Sequence, residues 1–221
     1  AMQTPYIAPP CDRPIDILYE DEHLLLISKP DLLLSIPGRH PENQDCVIAR
    51  MQAYNPSASM VHRLDLDTSG IMVIPLSKPI HSHISRQFQE RRVTKEYHAV
   101  VFGTVEPDSG EIDLPIAPDW SNRPRQKICY EKGKAALTRF EVMTTMPEQN
   151  QTRLLLKPVT GRSHQLRIHL SEIGHPILGC DLYAHDQALS MAQRLLLHAS
   201  YLAFEHPFTG EMLEGRSPPE F

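Results

Sequence analysis

The nine residues His62–Gly70, HRLDLDTSG, lead directly into the apolar run IMVIP at residues 71–75. A histidine, an arginine and two aspartates lie within the first six of these residues, and a glycine closes the cluster. Such a polar cluster before an apolar strand is typical of a loop on a rigid scaffold, where functional side chains tend to lie. The alternative is an Asx-type turn that only caps the strand. Asp65 and Asp67 are therefore candidate functional carboxylates beside a predicted strand.

Apolar patterning on both sides of this segment predicts more strands than helices. Ile15–Tyr19 and His23–Ser28 flank an acidic turn and predict a β-hairpin. Further strands are predicted at residues 96–102, 137–144, 153–158, 196–204 and 211–214. Helices are predicted at residues 81–92 and 163–173, and Gly174 ends the second one. The order lacks a repeating βαβ pattern, so the predicted fold class is α+β, with a mixed, largely antiparallel central sheet flanked by a few helices and loops.

Length and composition indicate an ordinary globular protein. With 221 residues, 41% of them hydrophobic, the chain can bury a core in one large domain or two closely packed subdomains. We predict an extended, proline-containing arm over residues 1–14 and a single domain over residues 15–221. Apolar runs such as Leu195–Leu197 are too short to cross a membrane. The four cysteines are isolated from one another, which favours free thiols and a cytoplasmic location.

The net charge of −5 argues at first against a nucleic-acid partner, but the charge is unevenly distributed. Residues 121–170 contain ten basic and three acidic side chains, and residues 61–100 contain six basic and four acidic ones. These two segments could form a basic face on an acidic body, which suits RNA phosphates. Chance clustering is the alternative.

Two further segments carry polar side chains in patterns that suit a site. In the strand predicted at residues 96–102, Tyr97 lies on the face opposite its two neighbours, although a half-buried strand tyrosine is the plainer interpretation. In Thr160–His169, TGRSHQLRIH, Ser163 is a predicted helix cap and Arg167 lies one turn beyond it. An arginine so near a helix start opposes the helix dipole, which predicts an anionic partner. A solvated arginine is equally compatible.

These segments together resemble a known family. HRLDLDTSG resembles the HRLDxxTSG signature of the RluA-type pseudouridine synthases, residues 95–100 resemble their K-x-Y motif, and GRSHQLRIH resembles their GRxHQxR segment. Further likenesses are ISKP at residues 27–30, GHPILGC at 174–180 and RLLLHA at 194–199, all in the family's order. The stretch SNRPRQKICYEKGKAALT is similar to the RluA subgroup, which modifies both large-subunit ribosomal RNA and tRNA anticodon stem-loops.

The resemblance implies an isomerase, an intramolecular transferase that breaks the bond between uracil and ribose and rejoins C5 of the base to C1′ of the sugar. It also implies the pseudouridine synthase fold, here without an S4-like domain. The implied partners are ribosomal RNA and tRNA stem-loops. We expect no cofactor, no metal, no membrane association and no obligate protein partner, which makes the protein a monomer.

The resemblance also assigns roles to single residues. Asp65 is the implied nucleophile, Arg167 the cation that pairs with it, and Tyr97 the side chain that stacks on the base and relays a proton. The target uridine must be flipped out of its stack, and Arg63 is the implied occupant of the vacated space. The other residues that we assign to RNA binding are His62, Arg92, Arg123, Arg125, Lys127, Arg162, His164 and Gln165.

One position departs from the family pattern, and several other functions were considered. Leu32 stands where the family has a glycine two residues after Lys-Pro, and leucine resists the positive φ that glycine permits. An aspartic protease would need a second aspartate loop, which the sequence lacks. The histidine pairs at residues 81 and 83 and at residues 164 and 169 match no zinc pattern. An RNA-binding module that folds RNA without modifying it stays open as the main alternative.

Overall fold

A computed structural model describes residues 6–221 of the chain. Two compact units are present: one contains the residues up to Thr94 together with Ala199–Glu220, and the other contains Lys95–His198 together with Phe221. The predicted arm over residues 1–14 and domain over residues 15–221 stay predictions, and residues 1–5 of that arm lie outside the described range.

Strands outnumber helices in the described range. In chain order the strands are β1 (Asp16–Glu20), β2 (Leu24–Lys29), β3 (Ser69–Pro75), β4 (Thr94–Phe102), β5 (Ser109–Asp113), β6 (Ile116–Pro118), β7 (Gln126–Ile128), β8 (Leu137–Met146), β9 (Gln151–Pro158), β10 (Leu197–Glu205) and β11 (Met212–Arg216). The helices are α1 (Val47–Tyr54), α2 (Lys78–Gln89), α3 (Gln165–Glu172) and α4 (Asp186–Ser190). Short 3-10 turns lie at Trp120–Asn122 and Pro147–Gln149.

The first unit is built on the strand order β1-β2-β3-β10, with β11 paired to β10. The predicted hairpin is confirmed, since β1 and β2 pair antiparallel. Its turn is held by Asp21, whose Oδ1 accepts the N–H groups of His23 at 2.7 Å and Leu24 at 3.0 Å. All seven residues of β3 are buried. The apolar run after the polar cluster is therefore the centre of this unit's sheet.

Gly70, the last residue of the HRLDLDTSG segment, is required by its surroundings. Its φ is +127°, and a Cβ at this position would lie 2.1 Å from the carbonyl oxygen of Ala199. A side chain would therefore collide with the backbone of β10 and would also be strained by the positive φ. This contact explains why the polar loop ends on glycine.

The second unit has the strand order β4-β9-β8-β5 and a separate two-stranded sheet of β6 and β7. The predicted hairpin of β8 and β9 is confirmed, with Thr138 opposite Pro158 at one end and Met146 opposite Gln151 at the other. Inward side chains of β4 and β9 pack with Leu166 and Leu170 of α3 in one apolar cluster. The helix that carries Arg167 is thus fixed to its sheet by burial of apolar surface.

Sequence patterns located the long helices well and their caps less well. Ser77 caps α2, since its Oγ accepts the N–H of Ile80 at 3.4 Å. The predicted cap of α3 was wrong: the N-cap is His164 instead of Ser163, with φ +57° and no side-chain cap hydrogen bond. The side chain of Gln165, the first residue of α3, turns back, and its Oε1 accepts the N–H of Arg162 in the preceding loop at 3.1 Å.

The predicted fold class is confirmed as α+β, because strand pairs such as β2–β3 and β4–β9 are antiparallel and only a few helices accompany them. Within residues 6–221, no helix is both long and apolar enough to cross a membrane.

Candidate active site

Asp65 lies half-buried in the loop that enters β3. The N–H of Thr68 donates to the backbone carbonyl of Asp65 at 3.1 Å, so residues 65–68 form a backbone turn. Leu64 is fixed on both sides by one hydroxyl: Ser35 Oγ donates to its carbonyl at 2.6 Å and accepts its N–H at 3.1 Å. The turn is therefore also a rigid support for the Asp65 side chain.

Lys29, which ends the apolar strand β2, braces this loop from inside the protein. Its Nζ donates to the carbonyls of Leu33 at 2.6 Å, Pro30 at 2.9 Å and Leu66 at 3.1 Å. Burial lowers the pKa of the Lys29 ammonium to about 7, against the opposing effect of Asp31, Asp65 and Asp67. Three acceptors match the three N–H groups of the protonated form. Lys29 belongs to the ISKP motif, but no role was predicted for it; the signal was a lysine at the end of an otherwise apolar run.

Leu32 adopts the conformation that the sequence departure put in question. Its φ is +62°, and its N–H donates to the carbonyl of Leu66 at 2.7 Å. The left-handed turn is therefore kept without glycine, at a cost of about 1–2 kcal/mol for a residue with a Cβ. Hydrogen bonds from Leu32 and Lys29 to the same carbonyl hold the strained turn in place.

The predicted arm contributes to this region through its described part. The Arg13 guanidinium pairs with the Asp31 carboxylate, which raises the pKa of Arg13 through that hydrogen bond. Arg50 of α1 donates to the backbone carbonyls of Cys11 and Arg13, both at 2.8 Å. The segment that follows Lys29 is thus held from outside as well as from inside.

His62 and Arg63, both assigned to RNA, have contrasting surroundings. The His62 ring stacks on Phe88 with centroids 4.7 Å apart, and its Nε2 accepts the N–H of Val73 at 3.0 Å. These contacts give His62 a structural task within the first unit. Arg63 is exposed. Of this pair, Arg63 is the side chain that can move toward a nucleic acid.

Gln165 organises the start of α3 from a buried position. Its Oε1 accepts the hydroxyl of Thr160 at 2.6 Å and the N–H of Arg162 at 3.1 Å. Its Nε2 donates to the carbonyl of Leu137 and the hydroxyl of Thr138, both at 3.0 Å. Because its amide is used inside the protein, we infer that Gln165 shapes the site instead of contacting RNA directly.

Arg167 has an anionic partner, Asp181, as its position in the helix predicted. Its side chain is only 4% exposed, and its Nη2 binds the carboxylate of Asp181 and the carbonyl of Asp181 at 3.0 Å. Its Nε donates to Cys180 Sγ at 3.3 Å. The guanidinium carbon lies 5.4 Å from the ring centroid of Tyr183. A buried arginine held on several sides keeps both its charge and its orientation.

Tyr97 and Lys95 share one face of β4. Tyr97 is half-buried, lies opposite Leu156 in the antiparallel pair and packs against the main apolar cluster of the second unit. Burial lowers the pKa of the Lys95 ammonium. A Cβ on Gly161 would lie 3.2 Å from Lys95 Nζ, so this glycine leaves room for the ammonium. The face combines an aromatic ring with a partly desolvated cation.

The basic stretch between residues 122 and 135 covers the end of the β6–β7 hairpin loop, strand β7 and the segment that follows it. The hairpin loop is closed by the N–H of Asp119, which donates to the carbonyl of Arg125 at 2.9 Å. Trp120 is 69% exposed, and the guanidinium carbon of Arg123 lies 5.6 Å from its ring centroid. The exposed cations of this stretch are Arg123, Arg125 and Lys127 in the hairpin and Lys132 and Lys134 after it. An exposed aromatic ring among cations is a typical surface for nucleic acid.

The remaining assigned residues are held by local contacts. Arg162 Nε donates to the carbonyl of Ala135 at 3.0 Å, and His164 Nδ1 is hydrogen-bonded to the Tyr183 hydroxyl. Arg92 is exposed and pairs with Glu90 at 3.0 Å and Glu205 at 3.6 Å. In the part of the chain that the structure describes, no three histidine, cysteine or acidic side chains are grouped so as to hold a metal ion.

Comparison with known proteins gives consistent results. The family model described as RNA pseudouridylate synthase matches residues 23–172. The dual-specificity RNA pseudouridine synthase RluA of Pasteurella multocida is 48% identical over 213 residues, which cover 96% of this chain and 97% of that protein. The protein of the same name from Escherichia coli is 47% identical over 213 residues, with the same shares of each chain covered.

Solved structures of two human proteins have the same fold. Human RNA pseudouridylate synthase domain containing 1 matches with a TM-score of 0.80 and 28% identity, covering 96% of this chain and 86% of that chain. Human RNA pseudouridylate synthase domain containing 4 matches with a TM-score of 0.74 and 25% identity, covering 93% of this chain and 89% of that chain. The predicted resemblance is confirmed: this chain belongs to the RNA pseudouridylate synthase family, the isomerases that convert uridine in RNA to pseudouridine.

Proposed function

We propose that this chain isomerises uridines in large-subunit ribosomal RNA and in tRNA anticodon stem-loops, with Asp65 as the nucleophile. The names of its relatives, which are described as dual-specificity enzymes, support two classes of RNA substrate. Their identity as ribosomal RNA and tRNA rests on the resemblance of SNRPRQKICYEKGKAALT to the RluA subgroup. The observation that carries the assignment of Asp65 is its position: a half-buried carboxylate on a turn that is held by Lys29 and Ser35.

The reaction needs no oxidant and no transferred group. The bond between N1 of uracil and C1′ of ribose breaks, the bond between C5 and C1′ forms, and the proton on C5 is replaced by one on N1. A carboxylate can hold a reactive carbon while the base turns over. Attack on the sugar, attack on the base and removal of a sugar proton to give a glycal are all compatible with Asp65 in this role.

Arg167 and Tyr97 complete the proposed chemistry. Arg167 supplies a cation that stabilises the ionised nucleophile, a role for which its low exposure and fixed orientation are suited. Tyr97 offers a ring for stacking on the base and a phenol for proton relay. Both side chains belong to the second unit and Asp65 to the first. We assign their roles from the resemblance to the family.

RNA is held by phosphate contacts and reached by base flipping. We assign phosphate binding to Arg123, Arg125 and Lys127 of the β6–β7 hairpin and to a second group formed by Arg86, Arg91, Arg92 and Lys95. Within residues 6–221 the structure records no hydrogen bond or ion pair of the Lys95 ammonium, so a phosphate would be its first counter-charge. Arg63, exposed and planar, fills the space left by the flipped uridine.

Replacement of Asp65 by asparagine tests the proposal. We expect Asp65→Asn to fold, to bind stem-loop RNA with an affinity near that of the wild type, and to form no pseudouridine, because an amide of nearly the same shape is a poor nucleophile. Nucleotide-resolution mapping of pseudouridine in ribosomal RNA and in a tRNA stem-loop is the measurement, and it also identifies the target uridines.

Asp67→Asn is the matched control, because it removes a second carboxylate from the same loop. It should keep the chemistry, at a reduced rate if Asp67 supports the turn. Substantial turnover by Asp65→Asn would sink the assignment, and loss of turnover only in Asp67→Asn would move the nucleophile by two residues. Absence of pseudouridine with the wild-type protein would favour an RNA-folding module instead.

The proposal includes the cellular location and the oligomeric state of the protein. We assign the protein to the cytoplasm as a monomer, in keeping with RNA substrates and with the free thiols of all four cysteines. Sedimentation of the protein with and without stem-loop RNA measures its oligomeric state.

A further inference from the structure

Tyr183 lies where several elements of the second unit meet, although neither composition nor motifs predicted a role for it. It is half-buried and packs against two separate apolar clusters. Its backbone carbonyl accepts the hydroxyl of Ser171, in α3, at 2.7 Å. Its ring lies within 5.4 Å of the Arg167 guanidinium carbon and within 5.6 Å of that of Arg125. One ring therefore contacts both the buried arginine and a cation of the basic hairpin.

The hydroxyl of Tyr183 makes two further connections. It accepts the backbone N–H of Gln126, the first residue of β7, at 2.8 Å, and it is hydrogen-bonded to Nδ1 of His164, the N-cap of α3. Burial raises the pKa of the Tyr183 phenol, so the hydroxyl keeps its proton at neutral pH and can donate it to His164. A phenylalanine would fill the same space and make neither bond.

These contacts restrict the position of the ring. Its backbone is tied to α3, its hydroxyl is tied to β7 and to the N-cap of α3, and its face packs beside the Arg167 guanidinium. A guanidinium against an aromatic ring is held in a preferred plane. The Asp181 carboxylate and Cys180 Sγ hold edges of the same guanidinium, and the Tyr183 ring packs against its face.

We propose that Tyr183 is a positioning residue for Arg167, anchored by its hydroxyl to the β6–β7 hairpin and to His164. This inference rests on the proposed role of Arg167 and adds to it a residue that acts through Arg167 without touching the reacting atoms. The competing interpretation is a core tyrosine whose loss would lower stability alone.

The test compares Tyr183→Phe with the wild type in single-turnover rate at saturating stem-loop RNA and in RNA affinity. We expect the rate to fall about two- to tenfold, less than the full effect of losing two ordinary hydrogen bonds because the ring itself stays beside Arg167, while affinity changes by less than about twofold. Tyr183→Met, which also removes the ring, should reduce the rate further. Tyr54→Phe is the control, since Tyr54 is exposed in the first unit and its hydroxyl binds Glu20.

A double-mutant cycle with Arg167→Lys separates positioning from packing. Lysine keeps the charge but cannot present the planar fork, so Tyr183→Phe should have no further effect on rate in that background. Equal slowing by Tyr183→Phe in both backgrounds, or a wild-type rate for Tyr183→Phe alone, overturns the inference. A wild-type rate for Arg167→Lys would mean that the charge suffices without a fixed plane, which overturns this inference, whereas the cation role of Arg167 is tested separately by Arg167→Ala. If the methionine variant fails to fold, the phenylalanine variant alone decides.

Discussion

The loop that carries Asp65 and the start of the helix that carries Arg167 both hold an ionised side chain in place, but with different chemistry. Behind the Asp65 loop lies a buried cation, Lys29, whose ammonium binds three backbone carbonyls. Behind the first turn of α3 lies a neutral amide, Gln165, which binds four groups at once. A cation can be lost by titration, whereas an amide cannot.

The difference predicts separate pH ranges for the two regions. Burial lowers the pKa of Lys29 from 10.5 to about 7, so the folded protein binds this proton less tightly than the unfolded chain does. The contribution of Lys29 to the free energy of unfolding is therefore fully present above pH 10.5, falls as the pH decreases, and is lost once the pH has fallen through 7. His169 supports the α3 region, and burial lowers its pKa from 6.5. Its contribution is present above 6.5 and is lost as pH falls through the lowered value. The loop thus responds to neutral and alkaline pH, and the helix responds only to acid.

The largest effects are expected from the two residues of the second unit that we assign to chemistry. Arg167→Ala should lower the single-turnover rate by about 10²- to 10³-fold, because it removes a fixed cation that stabilises charge in the transition state. Tyr97→Phe should lower it by about 10²-fold, because the phenol can no longer relay a proton. Dissociation constants for stem-loop RNA should change far less than the rates.

The matched control for Arg167→Ala is Arg139→Ala, which removes an exposed arginine that pairs with Glu111 at the surface of the same unit. It should leave both rate and affinity near wild type. If the main effect of Arg167→Ala and Tyr97→Phe were weaker RNA binding with an intact chemical step, both would become contact residues. The second unit would then contribute RNA binding and the first unit, which carries Asp65, would contribute the chemistry.

Removal of the cation behind the loop is the next largest expected effect. Lys29→Met leaves the carbonyls of Pro30 and Leu33 without their donor and should lower the free energy of unfolding by about 1–3 kcal/mol at pH 6. The reaction rate should also fall, by about tenfold, since the Asp65 turn loses a support. Chemical denaturation and single-turnover rates measure the two effects, and Lys78→Met, at an exposed lysine of α2, is the control.

The pH dependence of this variant sharpens the comparison further. Between pH 7 and 10.5 the unfolded wild type binds more protons at Lys29 than the folded protein does, so wild-type stability rises with pH relative to Lys29→Met. The slope should approach about 1.4 kcal/mol per pH unit in the middle of that range. A difference that stays flat up to pH 10 would mean that Lys29 keeps its proton, and the contrast between the two regions would fail.

The two regions were also unequally visible in the sequence. The anionic partner of Arg167 was predicted from the helix dipole, but its identity as Asp181 was not, because the loop after α3 brings it there without any periodic pattern. The sequence showed that Leu32 replaces a family glycine, but it did not predict that Leu32 keeps the left-handed turn, since a leucine gives no signal for positive φ. Long elements with a buried face were predicted within a few residues, as β8 and β9 illustrate.

Short elements escaped prediction for a physical reason. The paired strands β6 and β7 have three residues each, too few for an alternating pattern to emerge. Helix α1 buries only Val47 and Met51, so its apolar face is one turn long. Lys29 was missed because a lysine at the end of a strand normally reaches solvent, and here the chain folds three carbonyls around it.

A moderate effect on RNA binding is expected from the exposed β6–β7 hairpin of the second unit. Replacing Arg123 and Arg125 with alanine should weaken binding to all structured RNAs. Each lost phosphate contact should flatten the slope of log affinity against log salt by about 0.7–0.9. The rate at saturating RNA should change little, since uniform binding does not lower the barrier. Unchanged affinity and slope would make this a solvated loop and move the RNA surface elsewhere.

The smallest expected effect is that of metal removal, which we predict to be none. In the helix region, His169 uses Nδ1 with the Thr138 hydroxyl and Nε2 with the Leu114 carbonyl, both at 2.9 Å. His164 uses Nδ1 with Tyr183. In the first unit, His81 Nδ1 is bonded to Ser59 and His83 Nδ1 to Gln87. Each histidine of the two pairs that invited a metal interpretation thus has a protein partner, and isomerisation requires no Lewis acid.

Initial rates on a stably folded stem-loop should therefore survive exhaustive chelation. Loss of activity that zinc alone restores would refute this prediction. If magnesium restores activity, the assay is repeated on a substrate whose structure forms without divalent ions. Full activity on that substrate under chelation would assign the magnesium effect to RNA folding.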